Sequence, residues 1–128
     1  MSRRIILTAS LFGAIAVMFG AFGAHTLKNV LSAGSLGIWA KGVEYQFYHT
    51  LALLFLSQLA LGNEKLVKWS YIFFTLGVVL FSGSLYLLAT RDILNIGFVN
   101  YIGPITPIGG LCFILGWALL FVSVLKSK

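Results

Sequence analysis

The side chains best suited to chemistry in this 128-residue chain are concentrated in one stretch, Glu44-Tyr45-Gln46-Phe47-Tyr48-His49-Thr50. A carboxylate and an imidazole stand there at the head of an apolar run that ends near Leu61. At about 100° per residue on a helix, Glu44, Tyr45, Tyr48 and His49 share an arc of roughly 140°. Gln46, Thr50 and Ser57 form the neighbouring stripe. An ionisable group in so greasy a segment is costly and faces a protein interior or a wet cavity. Such a set offers hydrogen bonding, proton exchange, or a hold on a cation or a small polar group. His25, Glu44 and His49 have the chemistry of metal ligands, but the five-residue step between Glu44 and His49 turns them about 140° apart. Neither a metal nor a cofactor is expected. Cys112, the single cysteine, excludes an internal disulfide and a thiol pair. Phosphate-binding loops, zinc-protease pairs and serine-nucleophile elbows are absent from the sequence. No catalytic residue is assigned.

Composition says which elements carry these residues. Hydrophobic residues make up 59% of the chain and charged ones 9%, with a mean hydropathy of +0.99. A soluble domain carries about 25% charged residues. Runs of about 20 apolar residues read as membrane spans, and the chain accommodates four, near 5–24, 43–61, 69–89 and 106–125. The expected fold is therefore an all-α integral membrane four-helix bundle, a single transmembrane domain over residues 1–128. The net charge of +6 is spread over termini and short loops. That distribution fits topology signals and lipid head groups rather than nucleic acid.

Arg3 and Arg4 precede the first run, which at about 20 residues exceeds the 7–15 of a signal-peptide core and is read as retained. Within it Ala9, Gly13, Ala16, Gly20 and Gly23 repeat at steps of four and three, a seam for close helix approach. Ser35 is the expected cap of a helix beginning near Leu36. Trp39 and Trp69 are expected at the membrane interface. Gly83, Gly109 and Gly110 are read as further packing positions, and 93–103 as an interfacial segment. With four spans, Arg3, Arg4, Lys65, Lys68, Lys126 and Lys128 share one side, and Lys28, Lys41 and Arg91 the other. The positive-inside rule then puts both termini in the cytoplasm.

That topology gathers distant residues. His25, Glu44, Tyr45, Gln46, Tyr48, His49, Ser82, Ser84, Tyr86, Arg91 and Thr106 all fall in the non-cytoplasmic half, opposite a half of nearly pure Leu, Ile, Val, Phe and Ala. Two accounts stay open for the cluster: a satisfied network that fixes helix register, with Glu44 paired to Arg91 or to tyrosine hydroxyls, or a site for a small ligand.

Four blocks carry a family resemblance: Gly20-Ala21-Phe22-Gly23-Ala24-His25, Tyr45 through Leu53, Phe81-Ser82-Gly83-Ser84-Leu85-Tyr86, and Ile105-Thr106-Pro107-Ile108-Gly109-Gly110. Together they resemble the YgdD/YwdK-type family of small bacterial inner-membrane proteins, which has a small eukaryotic transmembrane relative. The resemblance implies a four-span protein of the cell inner membrane and supplies no catalytic residues. Asp92 to Tyr101 is longer than the family pattern. The expectation is a non-enzymatic, multi-pass accessory or small-ligand/lipid-binding protein. Its expected partners are the lipid bilayer and either further copies of itself or another membrane protein. The alternative is a small oligomeric transporter or channel for protons, cations or small polar solutes.

Overall fold

The computed structural model describes residues 1–95 and 97–127. Four long helices run up and down: α1 (Ser2–His25), α2 (Ala33–Gln58), α3 (Glu64–Ala89) and α4 (Ile105–Leu125). No strand occurs among the described residues. We call the end bearing the 26–32 and 90–104 connections the upper end. The other holds Met1, the 59–63 turn and the end of α4.

Local chemistry sets the boundaries. Ser32, in extended conformation, caps α2 by accepting from the Ser35 amide at 3.1 Å. The cap expected at Ser35 therefore lies three residues earlier, and Ser35 itself is buried in the first turn. At the lower end Gly62 takes a positive φ of 108° that side chains resist. Asn63 then caps α3 through the amides of Lys65 and Leu66, with Glu64 in the first turn where the helix dipole favours an acid. The helix thus begins a full turn before Trp69. Pro107 lies in the first turn of α4, where its missing N–H leaves no bond unmade. The upper connection between α3 and α4 contains two single-turn helices, Arg91–Leu94 and Val99–Ile102, and exposes Phe98 and Tyr101. Ile96 lies outside the described residues.

The helices pack as two antiparallel hairpins, α1 on α2 and α3 on α4, joined where α2 crosses the upper half of α3. Ala9, Ala16 and Gly23 of the small-residue seam are buried against α2. Ile5, Leu53, Leu56, Val67, Phe74 and Phe113 form the main core, and Leu27, Trp39 and Ala89 a smaller one at the upper end. Since lipid tails are as apolar as leucine, burial does not drive these contacts in a bilayer; close packing and hydrogen bonds must. The α3–α4 interface meets that demand with reciprocal knobs. A side-chain carbon on Gly77 would overlap the Phe113 ring, and one on Gly116 the Phe74 ring. In the same interface α3 loosens into a π-turn at Val78–Ser82, and Gly109 lets α4 lie against the Phe81 backbone.

Three helical stretches among the described residues are long and apolar enough to cross a bilayer: Ser2–Asn29, Glu64–Ala89 and Asn100–Leu125. The expected four is corrected to three on that criterion. Helix α2 has the length, 26 residues, but Lys41, Glu44, Gln46, His49 and Thr50 dilute its apolar character. Leu, Val, Ile and Phe side chains stand exposed on the helices, a surface suited to lipid rather than water. The protein is a helical membrane protein.

Candidate functional site

The buried polar side chains of the bundle have partners, and these lie at different levels rather than in one pool. Gln46, 3% exposed, is the most connected. Its Nε2 donates to the Phe12 carbonyl of α1 at 2.7 Å, and its Oε1 accepts from the Tyr86 hydroxyl of α3 at 2.6 Å. One amide therefore ties three helices together. Ser82 donates across to the Gly42 carbonyl at 2.7 Å, and Ser84 meets Thr106 at 2.5 Å. Trp39, expected at the lipid interface, is buried instead and donates its indole N–H to the Phe19 carbonyl at 2.8 Å. The expected apolar lower half also holds polar pins. Thr8 meets Tyr71 at 2.8 Å, and Ser70 donates to the Gly116 carbonyl at 2.8 Å. Among the described residues no buried side-chain nitrogen or oxygen is left without a partner.

His49 and Glu44, neighbours in sequence, part company in space. His49 is 4% exposed and stacks on Phe113 with ring centroids 3.6 Å apart and planes 8° from parallel. The Trp117 indole, which can only donate, gives its N–H to His49 Nε2 at 3.1 Å. Nε2 is thereby fixed as the acceptor, so Nδ1 carries the proton and donates to the Tyr45 carbonyl at 2.8 Å. The result is a neutral imidazole with both nitrogens used. Glu44 lies outward: it accepts from the Tyr48 hydroxyl and pairs with Lys41 at 3.4 Å. The alternative pairing with Arg91 is not made; that guanidinium donates to the Leu88 carbonyl at 3.1 Å. His25 is exposed at the end of α1. No group of three His, Cys, Asp or Glu side chains suited to a metal occurs among the described residues.

Two of the expected packing glycines are closely used: Gly109, as above, and Gly23, on which a side chain would overlap the Trp39 indole. Added carbons on Gly13, Gly20 and Gly110 would make ordinary contacts with Thr50, Val43 and Phe81, and one on Gly83 would meet nothing within 4 Å. Its neighbours Ser82 and Ser84 make the contacts instead.

Between α2 and α4 the bundle leaves a groove of about 820 Å³, open to the side. Tyr45, Tyr48 and His49 form one wall, Phe81 and Phe113 the back, and Pro107, Leu111, Ile114 and Trp117 the other wall. A second hollow of about 510 Å³ lies between α1 and α2, beside Gly20, Gly23 and Trp39. The first groove joins part of the anticipated cluster to a residue the sequence reading passed over, Trp117. Its signal was available: an indole N–H in the middle of a span must find a partner there, since lipid offers none. The groove is aromatic and, apart from the engaged His49 and the tyrosine hydroxyls, apolar. Its shape and lining match a flat or chain-like hydrophobic body.

The relatives of this chain are named as membrane proteins. A UPF0382 inner membrane protein, YgdD, from Escherichia coli K12 is 41% identical over 99% of this chain and 93% of its own length. UPF0382 membrane proteins of Staphylococcus haemolyticus and Staphylococcus saprophyticus are 42% and 43% identical, over 97% and 94% of this chain and 97% and 96% of theirs. No solved structure matches the chain. The family model described as "Protein of unknown function (DUF423)" matches residues 19–110, and with relatives this similar along nearly the whole length, the chain belongs to that family of membrane proteins.

Proposed function

We infer that this protein is a non-enzymatic protein of the cell inner membrane that holds a membrane amphiphile in the groove between α2 and α4. The observation that carries the reading is the groove itself: about 820 Å³, aromatic on the α2 wall and at the back, largely aliphatic on the α4 wall, and open sideways. From Pro107 to Trp117 it runs ten residues of helix, about 15 Å, which is half of a hydrocarbon core of about 30 Å. Its length therefore suits one acyl chain of one leaflet.

The reading takes α2 as a fourth span. Connections of seven residues (26–32) and five (59–63) join it to α1 and α3, so between two crossing helices it has to return through the bilayer. Gln46, His49 and Thr50 do not oppose this, because all three are buried and hydrogen-bonded. The half-exposed side chains of Lys41 and Glu44 pair with each other in the upper part of the helix. The charge bias of the loops then favours cytoplasmic termini, and the inner-membrane location is that named for the Escherichia coli relative. A transporter has less support, since the polar side chains pair off within the bundle.

Native mass spectrometry of protein extracted gently from its own membrane tests the proposal. Wild type should carry a reproducible amphiphile that Ile114→Trp, which fills the groove from an exposed position, abolishes. Equal adducts on both proteins would overturn it.

A further inference from the structure

Two charges on α2 adjoin the wall of the same groove through its tyrosines, and one of them, Glu44, also lines the second hollow between α1 and α2. Lys41 Nζ and Glu44 Oε2 are 3.4 Å apart with side chains 54% and 42% exposed, so each keeps valence to spare. Both are tied to the groove wall by its tyrosines. The Lys41 ammonium lies 5.9 Å from the centroid of the Tyr45 ring, within cation–π range, and the Tyr48 hydroxyl donates to Glu44 Oε1. Lys41 stands eight residues, about 12 Å along the axis, above His49. Gly13, the middle of α1, faces Thr50, which puts His49 near mid-bilayer and Lys41 near the level where a leaflet of about 15 Å gives way to head groups. Charges at that depth are costly without partners.

We propose that the groove selects a zwitterionic phospholipid with an amine in its head group, of the phosphoethanolamine class. Lys41 takes the phosphate, Glu44 the ammonium, and an acyl chain lies along Phe113, Ile114 and Trp117. This deepens the reading of the groove as an amphiphile site and rests on it. The charge pattern distinguishes the class. A lone cation at the rim would favour any anionic lipid, whereas an adjoining carboxylate repels a net negative head group and pairs with an ammonium. Of the other cations at the upper end, Arg91 is turned to the Leu88 carbonyl and Lys28 lines the second hollow.

The test uses the full chain in vesicles mixing phosphatidylethanolamine and phosphatidylglycerol, with brominated chains on one lipid at a time. Bromine quenches nearby indoles, and the Trp117 contribution is obtained by subtracting the Trp117→Phe protein. Half-maximal quenching of Trp117 should need about threefold less brominated phosphatidylethanolamine than phosphatidylglycerol, the scale of exposed ion pairs. The double variant Lys41→Ala, Glu44→Gln should lose that preference and keep the quenching. Equal quenching by both lipids in wild type overturns the head-group assignment and leaves the groove standing. A preference for phosphatidylglycerol overturns it in favour of Lys41 acting alone. Quenching that rises only in proportion to the brominated fraction, as for random contact, overturns the groove as well.

Discussion

Gln46 and Glu44 are two positions apart on α2, and their energetics should differ sharply. Gln46 spends both ends of its amide on other helices, so Gln46→Leu leaves the Phe12 carbonyl with its backbone bond alone and the half-buried Tyr86 hydroxyl without its acceptor. Leaving such groups unmatched costs about 1–3 kcal/mol, to be read as a lower midpoint in reversible unfolding by added anionic detergent. Glu44→Gln alters an exposed pair and should leave that midpoint unchanged. His49 is held by a donor on another helix, and interhelical bonds in membranes average about 0.6 kcal/mol with a maximum near 1.7. Trp117→Phe should cost about that much in the same assay. The sequence indicated which of these side chains are polar and intramembrane. It did not indicate the split between Glu44 and His49, because helical phase alone does not say where neighbouring helices stand.

At the scale of elements, glycines divide into those that carry contacts and those that do not. Gly77→Ala forces a methyl into the Phe113 ring, and overpacking of this kind costs about 1–3 kcal/mol. Gly83→Ala meets open space in a helix and should stabilise by up to about 1 kcal/mol through helix propensity. Thermal unfolding in detergent compares the two, and equal effects would refute the α3–α4 interface described above. Periodicity made the α1 seam legible, since small residues at steps of three and four mark one face. It did not distinguish Gly83 from Gly77, whose roles depend on where the Phe113 ring comes to rest. The π-turn at Val78–Ser82 was equally hidden, for no proline or other breaker announces it. Helix α2 posed the opposite difficulty: of the polar groups that lower its apolar character, the bundle buries and pairs Gln46, His49 and Thr50, while the Lys41 and Glu44 side chains stay half-exposed.

For the whole molecule, the proposed four-span topology puts the 26–32 connection and the 59–63 turn on opposite faces of the membrane. In a Cys112→Ala background, Asn29→Cys should react with a membrane-impermeant maleimide added outside intact cells, and Asn63→Cys only after lysis. The same labelling pattern at both positions would mean that α2 does not cross. The central proposal is that the space beside His49 belongs to lipid and not to water. Solid-state NMR of the protein labelled at histidine and phenylalanine in bilayers tests it most directly. An Nδ1–H, Nε2-acceptor imidazole with magnetisation transfer from acyl-chain protons to the His49 and Phe113 rings is the predicted result. Transfer from water protons to those rings, with none from the chains, would contradict it and make the groove a wet cavity.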